Sequence, residues 1–299
     1  MQRKFFLVST TFVALGFLSS FWGITETHAQ ANGSQEVTIQ FRGMVGDKPF
    51  SCGENYAQVG QPPTTVTATD FRFYVSDVAL IDDSGKVVPL KLTQDGKWQY
   101  QNVALLDFEN KSGACANGTS EVRDRITGTI PKGNYKGLKF TLGVPFQLNH
   151  EDATLASSPL NLTSLWWSWN GGYKFVRIDL RKPMSAHNTN VKQDRHGGQG
   201  FAIHIGSTGC QAANNSQKPT SCSNPNTSTI SFANFDPNRN VVVADLKALL
   251  ASTNLETNQA NTGVGCMSDS TDKNCAGIMA NFGIPFNGNP SKQTFFQVK

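Results

Sequence analysis

Trp166, Trp167 and Trp169 sit within the run Leu165 to Phe175, which reads Leu-Trp-Trp-Ser-Trp-Asn-Gly-Gly-Tyr-Lys-Phe. They are three of the chain's five tryptophans. Rings so concentrated can pack a sheet core, stack on a flat ligand, or take part in redox or metal chemistry. Asn170-Gly171 is a strong short hairpin signal, because both residue types tolerate positive φ. Tyr173, Phe175, Ile178 and Leu180 then space apolar side chains as a strand does. The run is therefore read as a hairpin with a tryptophan-rich first arm. On an extended arm Trp167 and Trp169 face one way and Trp166 the other.

Metal chemistry needs further donors. Beyond the first thirty-odd residues the histidines are His150, His187, His196 and His204. No two stand at H-x-x-x-H spacing, which would itself make a site on a helix. His204 lies on a short strand, opposite to Phe201, Ile203 and Ile205. His150 lies in the polar loop that precedes the tryptophan arm. Two imidazoles and a third ligand suit copper better than Mg²⁺ or Ca²⁺. The blander readings are a hydrogen-bonded interior histidine for His204 and a loop-surface residue for His150. His187, His196, Met184 and Met44 are further candidate ligands, with packing the commoner role for methionine.

Other chemistries lack their signatures. There is no G-x-S-x-G nucleophile elbow and no glycine-rich phosphate loop before a helix. Asp107 with Glu109, or Glu151 with Asp152, could act as a glycosidase pair, but acids this close in sequence are usually solvated loop charge. The chain is accordingly expected not to be an enzyme.

The elements that must hold these side chains are strands. Val37, Ile39 and Phe41 alternate, as do the residues of Phe71-Arg72-Phe73-Tyr74-Val75 and Leu138, Phe140 and Leu142. Turn signals such as Asp83-Ser84-Gly85 and Pro131-Lys132-Gly133 separate them. Only Asp245 to Ser252 has helical apolar spacing. The pattern predicts an all-β fold, an antiparallel β-sandwich or partly closed barrel, with one short helix and long loops pinned by disulfides.

Residues 1–31 read as a signal peptide. Arg3 and Lys4 precede the mostly apolar run Phe5 to Phe21, and Ala29-Gln30-Ala31 resembles a cleavage site. Export takes the chain out of the cytoplasm, with no membrane contact once the leader is removed. Residues 32–299 are then one domain, since no linker or charge run divides them. The net charge of +4 predicts no nucleic-acid partner. Cys52, Cys115, Cys210, Cys222, Cys266 and Cys275 make an even set, expected to form disulfides in an exported chain. Proximity pairs Cys210 with Cys222 and Cys266 with Cys275, leaving Cys52 with Cys115.

Five motifs occur in order: Asp70-Phe71-Arg72-Phe73-Tyr74-Val75-Ser76; Leu106-Asp107-Phe108-Glu109; Gly143-Val144-Pro145-Phe146 with Asn149-His150; Trp167 to Phe175; and His204-Ile205-Gly206-Ser207-Thr208-Gly209-Cys210. Together they resemble the MbnP-like periplasmic family, the four-Cys proteins of the metallo-mystery pair. The resemblance implies a periplasmic copper-binding protein of copper homeostasis. It also implies a partner, a di-haem MauG-like enzyme (MbnH), that oxidises a tryptophan to kynurenine. Carried onto this chain, the modified residue is Trp169, with Trp167 as the alternative, and the expected ligands of one copper ion are His150 and His204. Opening the indole ring leaves an aromatic amine beside a ketone, hence a donor atom where tryptophan offered none. The competing reading is a β-sandwich module for glycans or another small ligand, with the tryptophans as a stacking platform.

Overall fold

The computed structural model describes residues 33–168, 170–183, 200–214 and 217–299. Two mixed sheets face each other across one core. The smaller runs Phe296–Val298, Val241–Asp245, Ser34–Val45, Arg125–Pro131, Lys91–Leu92. The larger is built on the 19-residue strand Thr64–Asp82, flanked by Tyr135–Leu142 on one side and Val176–Arg181 then Gly200–Ile205 on the other. Neither sheet closes into a barrel, so of the two expected architectures the sandwich is the one formed. Most pairings are antiparallel. Ser34–Val45 with Val241–Asp245 and Gly200–Ile205 with Gly265–Cys266 are parallel.

Alternation explains the core. Val37, Ile39 and Phe41 point inward from one sheet, Phe71, Phe73 and Val75 from the other, all buried. Phe41 meets Phe73 and Phe140 edge-on, at 6.4 and 5.8 Å between ring centres. Such contacts favour the pairing beyond simple burial. The helix expected after Asp245 forms over Leu246–Leu249, and Asp245 caps it by accepting from the Lys247 amide. Helix Cys275–Phe282 was not legible, because its apolar positions are interrupted by Gly277 and Asn281. Three disulfides form, Cys52–Cys115, Cys210–Cys222 and Cys266–Cys275, the pairing that proximity gave.

The outer face of the larger sheet is not left to solvent. Tyr74, Val103 and Leu105 point outward and are covered by Val144, Ala153, Leu160, Leu165 and Tyr173. This second apolar cluster roots the loop that carries the tryptophan hairpin. Among the described residues no helix is long and apolar enough to cross a membrane.

Candidate metal centre

The hairpin forms as a small sheet of its own, with Trp166 opposite Tyr173 and Ser168 opposite Gly172. Gly172 has φ +67°, which a residue without Cβ adopts without strain. Trp166 turns into the second apolar cluster. Trp167 turns the other way, as the alternation required. Its ring lies against Gly206: a Cβ on Gly206 would stand 2.5 Å from Trp167 Cζ3 and 2.4 Å from the Tyr173 carbonyl oxygen. Only glycine lets the indole and this backbone meet. Trp169, Met184, His187 and His196 lie outside the described residues. Met44 is buried in the strand Ser34–Val45.

Asn149 and His150 end a one-turn helix, Phe146–Asn149, that begins after Pro145. Both are buried. The Asn149 amide reaches three segments. Its Oδ1 accepts from the Tyr173 amide at 2.8 Å, and its Nδ2 donates to Ser207 Oγ at 3.2 Å. The Tyr173 N–H identifies which end of the amide is oxygen. The Nδ2 end therefore faces His150 Nε2, 3.2 Å away. A donor there makes Nε2 the acceptor, so its lone pair is engaged by the amide, and a metal at this nitrogen would displace that hydrogen bond. The same Nε2 lies 3.4 Å from Cys222 Sγ. His150, Cys210 and Cys222 bring their donor atoms within 4.8 Å of one another.

His204 is placed differently. Across the larger sheet Asp107, Arg72, Arg177 and His204 stand in one row, on four neighbouring strands. Asp70 and Asp179 are paired in the next row. Arg72, fully buried, holds Asp70 through Nε at 2.8 Å and Nη2 at 2.5 Å. Arg177 bridges Asp70 at 3.0 Å and Asp179 at 2.8 Å. Asp179 Oδ1 then meets His204 Nε2 at 2.7 Å. A carboxylate on one imidazole nitrogen orients the ring and leaves the lone pair of a neutral imidazole on the other, here Nδ1. His204 also lines a cleft of about 740 Å³ with Asp179, Arg181 and Met267.

The ladder's electrostatics follow from burial set against its arginines. Burial pushes the Asp70 carboxyl up, while Arg72 and Arg177 pull it down. Burial opposes ionisation of Asp179 too, yet its bonds to His204 and Arg177 hold it well below the usual carboxylate range. Asp107 is pushed up to about 8, chiefly by burial; Arg72 pulls it down, while nearby Glu109 and Asp70 add repulsion. Its Oδ2 has no hydrogen-bond partner among the described residues.

Ser164 joins the two regions. Arg72 Nη1 donates to its Oγ, and Arg177 and Lys174 donate to its carbonyl. The loop entering the tryptophan arm is thus fixed on the charged ladder. Two buried polar atoms of the hairpin, Trp166 Nε1 and Asn170 Oδ1, lack partners among the described residues. Trp167, Asn149-His150 and the segment after His204 meet around Gly206 and Ser207. The two histidines keep separate partners, the Cys210–Cys222 disulfide and Asn149 for His150, Asp179 for His204. Sequence reasoning missed Asn149, Asp179 and Ser207 as supporting residues. The available signal was Asp70-x-Arg72 and Arg177-x-Asp179, charges two apart on strands whose other face is core.

The MbnP family model matches residues 34–268. Among solved structures, MbnP from Methylosinus trichosporium matches with a TM-score of 0.77 and 28% identity, covering 89% of this chain and 98% of that one. No curated protein matches.

Proposed function

On the premise that the chain belongs to the MbnP family, we propose that it binds copper in the periplasm and serves copper homeostasis. Family membership supports a copper-associated role. In this reading the site is finished after folding. A di-haem MauG-like enzyme (MbnH) oxidises Trp169, or alternatively Trp167, to kynurenine. His150, His204 and the new donor then hold one copper ion, and the chain is the substrate of that oxidase rather than an enzyme.

The observation that carries the reading is the meeting at Gly206 and Ser207. There the Trp167 ring, the Asn149-His150 pair and the backbone following His204 come together from three distant stretches. The donors are of a kind that suits copper: Asp179 on His204 Nε2 leaves the Nδ1 lone pair of a neutral imidazole, and copper at His150 Nε2 would replace the Asn149 amide there. Asn170 Oδ1 adds a buried acceptor that has no donor among the described residues. Copper supplies affinity for nitrogen donors. The protein supplies the buried position of His150 and the carboxylate that orients His204.

The test is co-expression with and without a di-haem MauG-like enzyme, followed by peptide mass and copper analysis. The expected result is a mass change consistent with kynurenine in the Leu165 to Phe175 peptide and one copper retained per chain. An unaltered peptide with no retained copper overturns the reading.

A further inference from the structure

The Cys210–Cys222 disulfide differs from the other two. Cys266 and Cys275 are fully buried members of the main core, and of the Cys52–Cys115 pair Cys52 is half-exposed while Cys115 is 1% exposed, so only Cys210–Cys222 has both cysteines half-exposed. Cys210 and Cys222 are both half-exposed and belong to neither large sheet. They stand directly opposite each other on a separate two-stranded hairpin, Thr208–Gln211 with Ser221–Asn224. Opening this bond leaves both hydrophobic layers intact. Exposed disulfides are also the ones that a thiolate can reach.

What the bond faces is a ligand. His150 Nε2, 3.2 Å from the Asn149 amide nitrogen, lies 3.4 Å from Cys222 Sγ, and copper there would take the place of the amide hydrogen bond. We propose that Cys210–Cys222 is a reducible bond whose opening creates a Cu(I) site of two thiolates and the His150 imidazole. A dithiol reductant supplies two electrons and two protons. The S–S bond breaks, two thiols form, and the reductant closes into its own disulfide. Cu(I) then displaces the two thiol protons. Thiolates are soft donors and select Cu(I). The donor atoms already lie within 4.8 Å of one another, so binding needs side-chain adjustment rather than refolding.

The proposal shares His150 with the proposed function but needs no tryptophan oxidation. It is therefore tested on the full chain expressed without a haem oxidase, with the Leu165 to Phe175 peptide confirmed unaltered by mass. The protein is treated anaerobically with dithiothreitol, desalted, alkylated in part for thiol mapping, and titrated with Cu(I) against bathocuproine disulfonate. Cys210 and Cys222 should label first. The reduced chain should take up one Cu(I) with a thiolate-to-copper ultraviolet band, which the oxidised chain lacks. C210S/C222S should remove this uptake. If that variant does not fold, wild-type protein alkylated at those two positions replaces it. His150→Ala should weaken Cu(I) by more than the roughly 10–100-fold that loss of a merely supporting group costs. First labelling at another cysteine, no gain of Cu(I) on reduction, or an unaffected His150→Ala overturns the proposal. None of these outcomes bears on kynurenine formation in the co-expressed protein.

Discussion

The corner around His150 and the ladder ending at His204 solve the same problem, a buried imidazole, by opposite means. The corner is nearly free of charge. One asparagine amide satisfies a backbone N–H, a serine hydroxyl and a ring nitrogen drawn from separate loops. The ladder is mostly charge, four strands wide, with two arginines shared between two aspartates. A sheet can hold such a ladder because register places each partner directly opposite the next. Loops cannot repeat a register, so the corner relies on one multidentate side chain and a disulfide. The ladder's failure should therefore be global and the corner's local.

That contrast can be broken most severely at Arg72. Arg72→Met leaves Asp70 buried with only Arg177, and should cost about 3–5 kcal/mol in urea unfolding. A loss no larger than that of a surface substitution would refute the ladder's structural role. At the corner, Asn149→Ala orphans the buried Tyr173 amide and should cost about 1–3 kcal/mol. The ladder should be unaffected, as read by unchanged amide-exchange protection of Val176–Arg181. Slowed or quickened exchange there would show that the regions are not separable.

Asp179→Asn sharpens the comparison from the ladder side. It keeps the size of the side chain but removes the carboxylate that orients His204. Copper affinity of the oxidised, modified protein should fall roughly 10–100-fold. An unchanged affinity would remove His204 from the ligand set. A last test lies at Asp107, the ladder's far end. Its carboxyl is pushed up to about 8 in the folded chain, against about 4 in an unfolded one. Between those values the folded chain keeps a proton that the unfolded chain has lost, so stability falls as pH rises through that window. Asp107→Asn cannot ionise. Its Tm should gain on the wild type steadily from pH 5 to about pH 8 and then level off, and parallel curves would show that Asp107 does not titrate there.

Much of the sandwich was legible because alternation is a local signal. Phe71-Arg72-Phe73-Tyr74-Val75 announces its two faces without knowledge of any partner strand. What the alternation hid was the fate of the second face. Arg72 lies on that second face, fully buried beneath the loop around Ser164. The run Val87 to Leu92 divides into two strands, Val87–Pro89 and Lys91–Leu92, on different sheets. Proline limits ladder hydrogen bonding at that break. His150 was read as a candidate ligand or a surface residue. Its burial depends on Tyr173 and Ser207, far along the chain.

The amino-acid sequence by itself determined the strands, the hairpin turn and the inventory of imidazoles and indoles, and proximity suggested one cysteine pairing of the fifteen that six cysteines allow. Those properties depend on neighbours one to a few residues away, or on simple proximity along the chain. Only the tertiary structure decided that Asn149 would bind His150 beside a disulfide and that Asp179 would orient His204. Which donor faces which acceptor is set by how strands and loops distant in sequence come to rest against one another, and no local periodicity encodes it.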